Sequence, residues 1–309
     1  MSNVLGPAII LGLPFAVATG SVIAAIVLGV RRSRAIIFDE GRYPGLAALR
    51  RATLQSRYLG IIGGLAVFLI VAGLGRYGQW VFVAPAAAGA TVISAILIGQ
   101  RLTYTRARTE GIAGIERREI RDYLPARLAM SAAGLLLVLA AVGTWAALVA
   151  TPDDSRLTRA FSQSCTTQLW DEQGYHEVAT EQVSTPFPGN YYTTGMAVGI
   201  AAVLALAWIG VVATTRRPRN GADAELVRVD DALRRQTVEG IVAAFGLVVA
   251  TTLTGLSYMA AVTVGMKACT TANGLGAWAL AAVAAVALAL ALRFAVVVLV
   301  PGDGARKQS

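Results

Sequence analysis

LAMSAAGLLLVLAAVGTWAALVA, residues 128–150, decides the fold. It holds no charged side chain, and at about 1.5 Å per residue a helix of this length crosses the roughly 30 Å hydrocarbon layer of a bilayer. Arg117, Arg118, Arg121 and Arg127 precede it, whereas only Arg156 and Arg159 follow it before residue 192. A charge-free run behind a basic flank reads as a transmembrane helix that leaves the cytoplasm.

Outward from that stretch the pattern repeats. Runs with little or no charge lie at 7–30, 58–74, 80–99, 193–212, 238–264 and 276–300. The whole chain of 309 residues is 56% apolar and only 15% charged, with a mean hydropathy of +0.61. An average soluble protein carries about 25% charged residues, so a soluble fold is excluded. The expected class is all-α: one polytopic membrane domain over 1–309, a bundle of seven transmembrane helices with a long exported loop at 151–192. Runs 58–74 and 80–99 are so close that they must form a tight hairpin.

Orientation follows from the 27 basic residues. They crowd the connectors 31–57, 100–127 and 213–237 and the C-terminal end, and only Arg76, Arg156, Arg159 and Lys267 fall on the other side. The positive-inside rule therefore puts the N-terminus outside and the C-terminus in the cytoplasm. Ala16, Val17 and Ala18 resemble a leader cleavage site, but no basic residue precedes the apolar run, and span 7–30 is expected to be retained. With 25 arginines to two lysines and much alanine and valine, the composition suggests a bacterial cytoplasmic membrane. The net charge of +9 flanks span ends, so the expected partners are the bilayer itself, anionic headgroups of the inner leaflet and a membrane-protein partner, not nucleic acid.

The three cytoplasmic connectors resemble one another. Ala48-Leu49-Arg50-Arg51-Ala52-Thr53-Leu54 parallels Ala232-Leu233-Arg234-Arg235-Gln236-Thr237-Val238, which suggests either tandem helical hairpins or simply repeated selection for inner arginines. Leu226, Val229 and Leu233 recur at helical spacing, as do Ile112, Ile115, Ile120, Tyr123 and Leu124. These segments read as surface helices or as N-terminal extensions of the spans that follow. Gly12, Ala16, Gly20 and Ala24, Gly60 and Gly64, and Gly195 and Gly199 form small-residue stripes of the kind that lets membrane helices pack closely.

Ionisable residues inside a membrane are expensive and call for a reason. Glu239 and Arg293 are the two that fall within the spans, both toward the cytoplasmic side. They form a charge pair between the sixth and seventh spans, or Arg293 snorkels to the headgroups. Thr251, Thr254 and Tyr258 share one face of the sixth span, the most polar, either bonding back to their own helix or lining a cavity.

Chemistry is otherwise sparse. The single histidine, His176, sits in the exported loop beside Asp171, Glu172 and Glu177 and reads as part of a solvated loop, so no metal site is expected. No Walker sequence, dinucleotide fingerprint or intramembrane lysine is present, and no cofactor is expected. Cys165 and Cys269 both fall in loops assigned to the outside, where an oxidising compartment permits a disulfide. Such a bond would clamp the long loop over the mouth between the sixth and seventh spans. The reading is a non-catalytic membrane component that binds a partner or organises a complex; the alternative is a transporter or channel-like conduit for a small or lipophilic substrate.

Overall fold

The structure is a computed structural model and describes residues 44–74, 78–106, 119–171, 174–217, 224–265 and 269–300. Span 7–30, with its small-residue stripe and the cleavage question, lies outside these residues. Six long helices are present among them: α1 (Pro44–Gly73), α2 (Ala84–Arg106), α3 (Ala126–Val149), α4 (Asn190–Thr215), α5 (Ala224–Gly265) and α6 (Thr271–Leu299).

Five of these, Leu54–Gly73 within α1, α3, α4, Asp230–Gly265 within α5, and α6, are long and apolar enough to cross a membrane. They correspond to five of the expected spans, and the chain is a membrane protein built largely of helices. In lipid the backbone must satisfy its own hydrogen bonds, and the Ala, Leu and Val of these segments do so as helices. The expected span 80–99 forms most of α2, which is less apolar because it includes Pro85, Thr91 and Ser94 and runs on past Gln100 and Arg101 to Arg106.

The centre of the bundle is α5. Of its most apolar stretch 72% is buried inside the protein, against 22–33% for the other four spanning helices. It packs against α2, α3, α4 and α6. Ile241, Val249, Leu253 and Leu256 meet Ile93 and Ile96 of α2, Leu135 and Leu139 of α3, Val203 of α4 and Phe294 of α6 in one apolar core. At its 42 residues, α5 is about 63 Å long, twice the hydrocarbon thickness. The connector 226–235 is therefore the extension of a spanning helix. The matching stretch 48–54 likewise lies within α1. Ile120–Asp122 is a single 3-10 turn ahead of Pro125, and α3 starts at Ala126; residues 107–118 lie outside the described ones.

The two small-residue stripes among the described residues, Gly60 with Gly64 and Gly195 with Gly199, are packing surfaces within the chain. A Cβ on Gly60 would stand 2.8 Å from that of Ala95, and one on Gly64 would stand 3.0 Å from the Ala88 carbonyl oxygen. Gly195 and Gly199 of α4 face Val83 and Ala86 in the same way.

The all-α expectation fails in loop 151–192. Thr151–Pro152 (β1), Thr158–Asp171 (β2) and Gly174–Ser184 (β3) form an antiparallel sheet in the order β1-β2-β3. The register of β2 with β3 runs without interruption from Phe161 opposite Ser184 to Asp171 opposite Gly174. Gly174 has φ +109, a backbone geometry that glycine adopts without strain.

Candidate functional site

The sheet stands on one end of the bundle, where α3 and α5 finish and α4 and α6 begin. Its base is a cluster of aromatic rings. Phe187, fully buried, lies 5.2 Å from Phe161 of β2 and 5.9 Å from Trp145 of α3 between ring centres. The Phe187 N–H donates to the Arg159 carbonyl at 2.7 Å, and the Thr263 hydroxyl of α5 donates to the Pro186 carbonyl at 2.6 Å.

A charged latch lies beside it. Asp153 accepts from the backbone N–H groups of Ser155 and Leu157, each at 2.9 Å, and from Arg159 Nε at 2.5 Å. Partial desolvation pushes the Asp153 carboxyl up, but the Leu157 N–H, the Arg159 guanidinium and the Ser155 N–H together hold it below the ordinary carboxylate range. Desolvation pulls Arg159 down, and its bonds to Asp153 and Tyr192 together more than compensate, leaving it above its usual value.

Halfway along the hairpin the expected covalent bond is present. Cys165 and Cys269 are joined as a disulfide with Cα atoms 5.3 Å apart. Nearby, Asn273 Nδ2 of α6 donates to Gln163 Oε1 at 2.6 Å. Both contacts come from the same face of β2, because alternate residues of a strand share a face. That face closes over the mouth between α5 and α6, above a cavity of about 480 Å³ lined in part by Trp145, Phe161, Val264, Asn273 and Leu280. On the opposite face Ser164, Thr166, Glu177, Ala179, Glu181 and Val183 are exposed.

Thr251, Thr254 and Tyr258 of α5 are half-buried. Thr251 donates to Leu247 O at 2.8 Å and lies within 3.0 Å of Val248 O, and Thr254 donates to Ala250 O at 2.8 Å. Thr251 also borders a second cavity, of about 420 Å³, between α1, α2 and α5; Thr254 and Tyr258 are not among its lining residues. Glu239 is half-buried and interacts electrostatically with Arg57, while Arg293 is exposed.

Sequence reasoning missed the polar layer at the other end of the bundle. Arg57, read as a connector residue, is 2% exposed and donates from Nη2 to Gln236 O at 2.5 Å. Gly240 makes this packing achievable, since a Cβ there would stand 2.4 Å from Arg57 Nη2. Gln100 of α2 donates to Thr237 of α5, and Asp231 accepts from the Tyr123 hydroxyl at 3.0 Å. Asp230 is buried between Arg217 Nη2 and Arg234 Nη2, each at 2.7 Å, and Arg234 Nη1 donates to Arg217 O at 2.6 Å. One helical stripe offered a signal for Arg57: residues 57, 60 and 64 fall on one face of α1, so the glycines that pack on α2 also point Arg57 inward.

Among the described residues no three His, Cys, Asp or Glu side chains converge as metal ligands. The side chains of Asp171 and His176 and the whole of Glu172 lie outside the description. Comparison with protein-family models, with curated proteins and with solved structures finds no match for this chain.

Proposed function

We propose that this membrane protein is a non-catalytic component that holds a partner, with the β2-β3 hairpin as its docking arm. The observation that carries the reading is that, among the described residues, most of the hairpin's length has no further strand beside it. Among the described residues β2 pairs with β1 only up to Ala160, and no strand pairs with the outer edge of β3. From Cys165 to Asp171 the arm continues for about 20 Å past the disulfide. A long open edge held in fixed geometry accepts an extended segment by strand addition. Glu177 and Glu181 on its exposed face favour a basic partner segment.

The hairpin end is proposed to face the outside of a bacterial cytoplasmic membrane, with the arginine-rich end in the cytoplasm. The arginine distribution and a disulfide at the opposite end support the same direction. In a background without the native cysteines, Glu177→Cys should then label from outside and Arg228→Cys only after permeabilisation.

The test of docking is photo-cross-linking from positions 179 and 182 in intact membranes, followed by purification in mild detergent. A stoichiometric partner, lost in Glu177→Lys/Glu181→Lys, is expected. A chain that purifies alone, cross-links to nothing from the hairpin and moves solute in liposomes would sink this reading. That result would favour the second one, a conduit for a small or lipophilic substrate, which draws on the cavity bordered by Thr251.

A further inference from the structure

We propose that the cavity between α1, α2 and α5 is a lipid site that holds one acyl chain of an anionic phospholipid, with the phosphate against Arg57. This rests on the membrane placement of the bundle and is independent of the hairpin reading.

The walls specify the chain. Ile61, Leu65, Phe68, Phe82, Leu247 and Val248 are among its lining residues. The two hydroxyls that border it, Thr251 and Thr252, donate to Leu247 and Val248 carbonyls of their own helix, so neither asks for a polar ligand. A dry apolar cavity of this kind takes hydrocarbon and not water. Its rim residues Leu65 and Val81 are 61% and 43% exposed, so the opening faces lipid. Along α5 it extends from Ala244 to Gly255, about 16 Å at the helical rise. The volume of about 420 Å³ is drawn out over that length as a slot, a shape that suits an extended acyl chain.

The floor specifies the headgroup. Arg57 lies one helical turn before Ile61 on α1, and Gly240, which it touches, lies one turn before Ala244 on α5. Both helices thus place the guanidinium about one helical turn below the slot, next to its lining without being part of it. Its Nη2 is used by Gln236 O, but Nε and Nη1 are buried with no hydrogen-bond partner. A buried guanidinium with two unmet donors is costly, and a phosphate meets both through paired oxygens. Of the carboxylates in the layer, Asp230 is taken by Arg217 and Arg234 and Asp231 accepts from Tyr123. Counted together, Arg57, Arg217, Arg234 and Arg235 exceed Asp230, Asp231 and Glu239 by one positive charge, and this balance favours a net anionic headgroup over a zwitterionic one.

The test reconstitutes the full chain in dioleoyl phosphatidylcholine vesicles that contain a trace of diazirine-tailed phosphatidylglycerol or, separately, of phosphatidylcholine with the same tail. Labelled peptides are mapped by mass spectrometry. Labelling of residues 61–68 and 244–255 is normalised to the lipid-facing side of α3 around Leu137 and Leu148, which are 72% and 80% exposed. The phosphatidylglycerol probe should label the slot about tenfold more than the phosphatidylcholine probe, a difference of about 1.4 kcal/mol. Thr251→Phe, which fills the slot, should abolish slot labelling while leaving α3 labelling and the melting temperature in place. Arg57→Gln should erase the headgroup preference and keep the chain; Arg57→Lys should retain part of it and serves if the glutamine variant does not fold. Equal slot labelling by the two probes, slot labelling undiminished in Thr251→Phe, or a photo-reactive group at position 247 that captures residues 7–30 of the same chain instead of lipid would each overturn the proposal.

Discussion

The two ends of the bundle are fastened by different physics. At the hairpin end one covalent bond, Cys165 to Cys269, and a few hydrogen bonds tie a sheet onto helices that are already packed. At the arginine-rich end no covalent bond joins the described residues, and α1, α2, α4 and α5 are held by buried side chains: Arg57, Gln100, Thr214, Asp230, Arg234 and Thr237. A disulfide tolerates wet, exposed surroundings, whereas a buried polar layer persists only while its members stay paired. Losing the first should free an attachment, and losing a member of the second should disturb the bundle itself.

The largest expected effect is at Asp230. Asp230→Ala leaves Arg234 and Arg217 without their shared carboxylate, and breaking such a pair from one side costs roughly 3 to 5 kcal/mol. Folded yield in detergent, followed by size exclusion, should fall sharply. A yield equal to wild type would mean that water reaches this layer and that the contrast between the ends is false.

Opening the disulfide ranks second. Closing a loop of this length contributes on the order of 4 to 5 kcal/mol for a random chain, but the chain between Cys165 and Cys269 includes α4 and α5, which stay confined by the membrane. We therefore expect Cys165→Ser to lower the melting temperature of the bundle only slightly, and to make residues 158–184 sensitive to protease. Global unfolding of the Cys165→Ser variant would show instead that the clamp supports the bundle.

Third comes Gln100→Leu, which removes the links to Thr237 and Thr214. Interhelical hydrogen bonds in membranes average about 0.6 kcal/mol, so thermal melting should shift modestly and far less than for Asp230→Ala.

The smallest effect concerns pH at the latch. The Asp153 carboxyl is held below its ordinary value in the folded protein, so its contribution is complete above the ordinary aspartate pKa of about 3.9 and is lost as pH falls through the lower folded value. Protease sensitivity around Arg156 should rise below about pH 4, and Asp153→Asn should show that sensitivity already at neutral pH.

Much of the disulfide was legible, because counting arginines assigned both cysteines to one side before any contact was known. The hairpin was less so. Its strands alternate, as in Phe161, Gln163 and Cys165 against Ser162, Ser164 and Thr166, yet a loop between spans was read for its charges and not for period two. Arg57 was missed because hydropathy begins the span at Tyr58, one residue later. The same arginine pattern that signals orientation hides the members that turn inward.

Hydropathy by itself marked the chain as a membrane protein and picked out the five described helices that are long and apolar enough to cross a bilayer, because transfer from water to lipid depends mainly on each segment's own side chains. Only the tertiary structure decided that the most polar span is the central one. Its threonines, Asp230 and Arg234 find protein partners there, as lipid would offer none. It also decided that Arg57 meets Gln236 across 179 residues and Gln100 meets Thr237 across 137. Such pairings depend on which helices lie side by side, and no local property of the chain encodes that.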